Sequence, residues 1–238
     1  MSKLQGVKVK WYGHATVLVT TGKGTAILID PWFEGNPAFP KTTPLPERVD
    51  LILCTHGHSD HVADAVAMSK KYGAPIIAMV ELAAWLGRQG VKQSIGMNLG
   101  GSYVLSDVTV SLVDAKHSTG MDDKGEGRML YGGVANGFVL EIEGGATLYH
   151  AGDTTVFGDM KLIGDLYHPQ LAMLPIGGHY TMGPRLAAHA ARLLNAAQVL
   201  PIHYGTFPVL TGTPEQLRQE LAGSPIEVRG IKPGESIE

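Results

Sequence analysis

The sequence predicts an α/β fold in which sheets are layered against helices, as in an αββα sandwich or another mixed α/β arrangement. Two observations predict it: the first strand-like segments follow one another as hairpins, and the later ones alternate with helical segments. The chain has 238 residues, 44% hydrophobic and 17% charged, which is sufficient for one sizeable buried core. No composition shift or fixed-period repeat divides it, so we expect a single domain over residues 1–238.

Ten short segments with apolar or alternating patterns are predicted strands. They are Val7–Trp11, Thr16–Thr20, Ala26–Ile29, Val49–Cys54, Pro75–Met79, Val108–Val113, Gly137–Ile142, Thr147–His150, Leu171–Leu174 and Gln198–Ile202. Five segments with helical spacing are predicted helices, at Val62–Tyr72, Glu81–Gln89, Phe157–Leu166, Pro184–Asn195 and Pro214–Leu221. The last two begin with proline at the first helical position, and Thr213 with Gln216 has the spacing of a capping box.

Two segments are predicted to be irregular. Asn36–Pro46 contains too many prolines for a helix and is expected to form a surface loop. The glycine-rich segment Gly125–Gly133 lacks the Lys-Ser/Thr ending of a P-loop, so we expect a hairpin turn or a loop near the site rather than a phosphate cradle.

Charge and composition exclude several classes of protein. Nineteen Lys and Arg stand against 22 Asp and Glu, and no basic run is present, so a nucleic-acid partner is not expected. The single Cys54 excludes an intramolecular disulfide and a cysteine-based zinc site. The N-terminal segment lacks the apolar core of a signal peptide, and no apolar stretch reaches the roughly 20 residues that cross a bilayer. We expect a cytoplasmic protein without a membrane span, whose partner is a small-molecule substrate. The oligomeric state stays open, a homo-oligomer included.

Four metal-ligand side chains lie within six positions after the predicted strand Val49–Cys54: His56, His58, Asp60 and His61. In an extended segment, residues two apart project to the same side, so the first two histidines can hold one ion together. The other two follow as the chain turns into a helix and can face a second ion. Imidazole and carboxylate ligands suit zinc, with manganese and iron also admissible. A helix cap alone would not require three histidines.

Further ligands are needed to complete two ions, and three candidates each follow a predicted strand by a few residues. They are His117, Asp153 and His203. Side chains released at corresponding strand ends are expected to meet at one edge of a layered sheet. The sequence therefore predicts one metal site at that edge.

The HxHxDH motif at residues 56–61, followed in order by a lone His, a Gly-Asp and a final His, resembles the metallo-β-lactamase-fold hydrolases, whose fold is an αββα four-layer sandwich. Within that superfamily, six segments resemble the UPF0173 metal-dependent hydrolases, a group related to UlaG-like lactonases. These segments are Trp11–Ala15, Leu28–Pro31, Met97–Gly101, His150–Thr154, Pro175–Gly183 and Pro201–Tyr204. The chain is more distantly similar to the phospholipase D that hydrolyses N-acyl phosphatidylethanolamine.

The resemblance implies one hydrolase domain with two divalent ions, zinc first and manganese or iron as alternatives. Carried over by position, the first ion takes His56, His58 and His117, the second takes Asp60, His61 and His203, and Asp153 bridges both. True β-lactamases have Cys at the bridging position. The Asp found here matches the phosphodiesterase, lactonase and thioesterase branches instead, so hydrolysis of antibiotics is not expected.

The expected chemistry is hydrolysis of a small molecule. Two ions that share a water would lower its pKa, so that a metal-bridged hydroxide could cleave a phosphodiester, a lactone or another ester. Asp60 would both ligate a metal and orient the nucleophile. His179 is the first candidate for the catalytic acid that protonates the leaving group, with Tyr180 beside it. His14, His150 and Tyr180 are expected to support ligands or contact substrate.

Two other readings remain open at this point. The pair His56 and His58 could end the first strand of an amidohydrolase-type barrel, although that fold predicts repeated strand–helix units from the start of the chain. The chain could also be a non-catalytic module that senses a metal or a ligand, although a purely structural zinc needs only four closed ligands.

Overall fold

The computed structural model describes residues 4–122 and 127–238. Within them, sixteen strands follow in chain order as β1 (Lys8–Gly13), β2 (Thr16–Thr20), β3 (Ala26–Ile29), β4 (Leu51–Leu53), β5 (Ile76–Met79), β6 (Ser94–Met97), β7 (Ser102–Leu105), β8 (Val108–Asp114), β9 (Gly120–Asp122), β10 (Met129–Tyr131), β11 (Asn136–Ile142), β12 (Thr147–His150), β13 (Leu171–Pro175), β14 (Gln198–Ile202), β15 (Glu227–Val228) and β16 (Ser236–Ile237). The helices found in the same ranges are α1 (Ser59–Val62), α2 (Ala65–Tyr72), α3 (Val80–Arg88), α4 (Met160–Tyr167), α5 (Pro184–Leu194) and α6 (Pro214–Glu220).

Most strands form two seven-stranded sheets of similar design. The first has the order β16-β1-β2-β3-β4-β5-β6 and is antiparallel from β16 to β3 and parallel from β3 to β6. The second has the order β15-β14-β13-β12-β11-β8-β7 and is antiparallel from β7 to β12 and parallel from β12 to β15. Each sheet therefore joins a meander of hairpins to a set of crossover units.

The two sheets pack face to face, and helices cover their outer faces. The strands alternate their side chains between the two faces. Odd positions of β4 such as Leu51 and Leu53 enter the core between the sheets, together with Leu140 and Met173 of the second sheet. The neighbouring Ile52 packs outward among residues of α1, α2 and α3. Residues of α4, α5 and α6 pack in the same way on the outer face of the second sheet. The predicted αββα four-layer sandwich is confirmed, and the alternative of an amidohydrolase-type barrel is wrong.

All ten predicted strands are present, and β2, β3, β12 and β14 have the predicted bounds. The predicted helix Val62–Tyr72 is wrong at its start, because the chain forms two helices, α1 and α2, with Asp64 between them. The Asp64 carboxylate accepts hydrogen bonds from the backbone N–H groups of Phe33 and Glu34, and its own N–H donates to the carbonyl of Pro31. These contacts with a neighbouring loop interrupt the helix.

The predicted hairpin at Gly125–Gly133 is described in part. Strands β9 and β10 pair antiparallel, with Leu130 opposite Met121, while Gly125 and Glu126 lie outside the described residues. The predicted loop Asn36–Pro46 contains no helix or strand. In the ranges 4–122 and 127–238, each helix is too short or too polar to span a bilayer.

The topology brings many strand ends to one edge of the sandwich. Because β1, β3 and β4 run in one direction within the first sheet, their carboxyl ends lie together. The same holds for β8, β12, β13 and β14 in the second sheet. The segments that follow these ends carry the residues described next.

Candidate metal centre

Three histidines form what we call the outer set: His56, His58 and His117. The first two follow β4, and the third follows β8. Atom Nε2 of His56 lies 2.9 Å from Nδ1 of His58, and one donor atom from each of the three rings lies within 4.8 Å of the others. The side chain of His117 is 13% exposed, so this set borders solvent.

Four side chains form what we call the inner set: His14, Asp60, His61 and His203. Atom Oδ2 of Asp60 lies 3.0 Å from Nε2 of His14 and 4.0 Å from Nε2 of both His61 and His203. The three histidine side chains are at most 1% exposed. The inner histidines are therefore buried more deeply than His117, whereas the side chain of Asp60 is 25% exposed.

Asp153 lies between the two sets, in the turn that follows β12. Its Oδ2 atom is 2.9 Å from Nε2 of His203, 3.4 Å from Nε2 of His61 and 3.6 Å from Nε2 of His117. One carboxylate oxygen thus faces histidines of both sets. This position is compatible with the bridging role that the family resemblance implies for Asp153, which stays a prediction.

Asp30 contacts the inner set through Nδ1 of His61, the ring nitrogen other than the one near Asp153. The sequence did not predict Asp30 as a site residue. Its carboxylate accepts hydrogen bonds from the N–H and the hydroxyl of Thr55, at 2.8 and 2.7 Å, and lies 2.7 Å from Nδ1 of His61. The Thr55 hydroxyl also lies 3.0 Å from Nδ1 of His56. A carboxylate on the far ring nitrogen is what orients a metal-binding histidine. The sequence did contain one indication of this role, because Asp30 directly follows β3, whose carboxyl end lies at the same edge of the sandwich as the site.

The two other predicted supporting histidines are buried. Nδ1 of His14 lies 2.9 Å from the Thr206 hydroxyl. His150 donates from Nε2 to the carbonyl of Ala15 at 3.2 Å and accepts at Nδ1 from the N–H of Gly152 at 3.1 Å. His150 therefore stabilises the turn through Gly152, which places the residue after Gly152, Asp153, in the site.

The backbone is strained at three of these residues. His14, Asp30 and His203 have φ values of 55°, 48° and 54°, in the left-handed region that non-glycine residues seldom adopt. The backbone carbonyl of His14 also accepts hydrogen bonds from the N–H of His203 and from the indole N–H of Trp11, both at 2.9 Å. Strain held in place by surrounding contacts is typical of functional sites.

The charges of the site shift its pKa values in opposite directions. Burial disfavours the imidazolium of His61, yet Asp153, Asp30 and Asp60 outweigh it and raise the pKa well above the ordinary value. Burial lowers the pKa of His14 to about 4 and holds that of His56 well below its ordinary value. Asp153 is buried as well, but His203 and His61 keep its pKa well below the ordinary range. The site thus combines a carboxylate with imidazoles of which most are neutral.

The chemistry of this donor set fits divalent metal ions. Nε2 of His61, Nε2 of His203 and Oδ1 of Asp153 are buried without a hydrogen-bond partner, which is costly unless a cation satisfies them. Two donor atoms that bind one zinc at its usual bond length are at most about 4.2 Å apart. The distances from Asp60 and Asp153 to the surrounding histidines, 2.9 to 4.0 Å, meet that limit.

A cavity of about 380 Å³ opens onto the site. Its lining comprises Trp32, His58, Ser59, Asp60, His117, Ser118, Asp153, Tyr180, His203 and Phe207. The predicted substrate contact Tyr180 is therefore at the cavity. The predicted acid His179 is exposed and lies outside that lining, with its ring centroid 4.5 Å from that of Tyr180.

Known proteins match the chain over most of its length. The family model described as a beta-lactamase superfamily domain matches residues 25–204. A UPF0173 metal-dependent hydrolase of Koribacter versatilis is 50% identical, with 98% of each chain covered. Another from Solibacter usitatus is 45% identical and covers 98% of this chain and 100% of the relative. The solved structure of Igni18, a metallo hydrolase from Ignicoccus hospitalis, superposes with a TM-score of 0.84 at 35% identity and covers 97% of each chain. With its fold and its His/Asp cluster, the chain belongs to the UPF0173 metal-dependent hydrolases of the metallo-β-lactamase superfamily.

Proposed function

We propose that this metal-dependent hydrolase uses two divalent ions, zinc first, to cleave a phosphodiester, lactone or other ester bond in a small molecule. The observation that carries the proposal is the position of Asp153, whose Oδ2 atom lies within 3.6 Å of histidines in both sets. The outer set would hold one ion, and Asp60, His61 and His203 of the inner set would hold the other. Asp153 would bind both.

Such a pair of ions would lower the pKa of a shared water and polarise the oxygen of the bond to be cleaved. The chain supplies the remaining functions. The carboxylate of Asp60, fixed by His14 at 3.0 Å, would bind a metal and accept a hydrogen bond from the attacking water. The rings of Trp32 and Phe207 restrict access of bulk water to that side of the cavity.

Protonation of the leaving group needs a further acid. Tyr180 lines the cavity and is better placed for direct contact than His179, which is outside that lining with its ring centroid 4.5 Å from that of Tyr180. We therefore propose that Tyr180 meets the leaving group, and that His179 acts on it through Tyr180 or through water.

The cavity supports a small substrate. Its volume of about 380 Å³ is in the range of small-molecule sites. None of the described residues that line it is Lys or Arg, so negative charge on a substrate would meet only the ions. We rank a phosphodiester first, then a lactone or other carboxylic ester, and RNA last.

The test is to measure metal content together with turnover. Protein purified without chelator would be assayed on chromogenic phosphodiester, lactone and ester substrates. His189→Ala is a matched control, because His189 is an exposed histidine of α5 that belongs to neither set. We expect close to two ions per chain and turnover that is lost on chelation and restored by zinc or manganese. One ion or none, with no turnover on any bond after metal is restored, would overturn the proposal.

A further inference from the structure

We infer that His14 is itself a metal ligand, so that the inner set holds its ion with four side chains of its own. The inference rests on the proposed dinuclear function and adds a ligand to the seven that the family pattern supplies. It also determines which of the two ions is open to substrate.

The geometry of the His14 ring carries the inference. Its Nδ1 atom is engaged by the Thr206 hydroxyl at 2.9 Å, which leaves Nε2 to face the site. That Nε2 atom, a donor atom of His61, one of His203 and an oxygen of Asp60 all lie within 4.8 Å of one another. The separation of 3.0 Å from Nε2 to Oδ2 of Asp60 is a normal distance between two ligands on one ion. Nε2 of His14 is therefore in a position to bind the inner ion together with His61 and His203.

The contacts around His14 fix it more firmly than a substrate contact requires. Its ring lies edge-on to Trp32 at 5.1 Å between centroids and 3.8 Å from the ring of His203. Its backbone carbonyl accepts from the N–H of His203, and its φ of 55° is a strained conformation. The backbone of His14 thus positions His203, a proposed ligand, and its side chain presents Nε2 beside the same residue.

The alternative is that His14 only donates a hydrogen bond to Asp60. In that case the Thr206 hydroxyl would donate to Nδ1, and Nε2 would carry the proton. If His14 is a ligand, Nδ1–H donates to the Thr206 oxygen and Nε2 presents its lone pair to the metal. A polar partner on the far ring nitrogen is the usual arrangement for a metal-binding histidine, and Asp30 has that place for His61.

A consequence for substrate binding follows. The inner ion would have five protein ligands, His14, Asp60, His61, His203 and the shared Asp153. The outer ion would have His56, His58, His117 and the same carboxylate, which leaves room for an oxygen of the substrate. The lining of the cavity includes His58 and His117 of the outer set and Asp60 and His203 of the inner set, but not His14 or His61, so the smaller number of protein ligands at the outer ion is what leaves it open.

Two variants separate a ligand from a hydrogen-bond donor. His14→Ala removes both roles, whereas His14→Gln keeps an N–H that can donate to Asp60 but presents a neutral amide that binds zinc poorly. Zinc retained per chain would be measured by competition with chelators of graded strength, with His189→Ala as control and circular dichroism to verify folding.

We expect both variants to bind the inner zinc, the more tightly held of the two in the unaltered protein, more than about 100-fold less tightly than the control does, beyond the 10- to 100-fold typical of a residue that only orients a ligand. Affinity restored in His14→Gln would overturn the inference and leave the dinuclear function standing. Fewer than two ions in the unaltered protein would contradict the proposed function itself.

If both variants misfold, a crystal structure of the unaltered protein loaded with zinc decides. A bond of about 2.1 Å from Nε2 of His14 to zinc is expected. A distance beyond 3 Å would overturn the inference.

Discussion

The outer and inner sets contain the same kind of imidazole donor but differ in what surrounds them. Of the outer histidines, His58 and His117 line the cavity, and burial together with neighbouring histidines lowers the pKa values of all three. In the inner set, Asp30 and Asp60 face buried histidines, and the pKa of His61 is raised well above its ordinary value.

This difference indicates a division of roles between two sites of similar composition. In the proposed dinuclear site, an ion in the outer set would have three neutral imidazole ligands of its own and an approach from solvent, which suits exchange and contact with substrate. An ion in the inner set would have the anionic support of Asp30 and Asp60 and would face the cavity past Asp60 and His203, which suits retention. The predictions below test that division, from the largest expected effect to the smallest.

Asp153→Ala is expected to have the largest effect, because this carboxylate faces both sets. We expect turnover on the best substrate to fall by at least about 1,000-fold, since transition-state stabilisation by both ions is lost. Metal content would fall below one ion per chain. Retention of two ions with turnover near that of the unaltered protein would contradict the bridging role.

His61→Ala and His117→Ala compare the two sets directly. Removal of His61 leaves Asp30 buried without its cationic partner, so the free energy of unfolding of the metal-free protein is expected to fall by about 3–5 kcal/mol. His117 is partly exposed, and its removal should cost much less stability while still releasing one ion. Urea unfolding and metal analysis of both variants would measure this. Equal losses of stability would contradict the division between the sets.

Asp30→Asn is expected to act through His61. An amide cannot accept the Thr55 and His61 hydrogen bonds with the same charge, so metal affinity of the inner set should fall by about 10- to 100-fold. Asp107→Asn is a matched control, because Asp107 is also buried and accepts from a threonine hydroxyl, at the opposite end of β8 from the site. If both variants lose affinity equally, Asp30 has no specific role.

The pH dependence of stability gives the smallest effect. His14 has a pKa of about 4 in the folded protein, below its ordinary value, so it stabilises the metal-free fold above pH 6.5 and this contribution is lost as pH falls towards 4. Between pH 7 and 5 the loss from this group is about 2 kcal/mol. His61 has the opposite sign, because its raised pKa stabilises the fold at low pH and is lost as pH rises through it.

Thermal unfolding of metal-free protein at pH 7 and pH 5 would measure the balance. We expect lower stability at pH 5, because His56, His58 and His117 shift in the same direction as His14. His14→Gln lacks this titrating group, so its loss of stability between pH 7 and pH 5 should be smaller. Unchanged stability of the unaltered protein between the two pH values would contradict the prediction.

The sequence predicted ten of the sixteen described strands, and the motif around His56 indicated the family, because both depend on local spacing. Among the strands that it missed is β16, which is two residues long and pairs with β1 from the other end of the chain. It also missed Asp30 as a site residue, because its role depends on a carboxylate reaching His61 across a strand pair. Contacts between residues 31 positions apart have no signal in local periodicity.

The left-handed backbone at His14, Asp30 and His203 has a consequence for evolution and engineering. Each such conformation costs an L residue about 1–2 kcal/mol relative to glycine. A library selected only for thermal tolerance, without metal, should therefore accumulate glycine or asparagine at these positions and drift away from activity. Selection for function keeps the less stable residues.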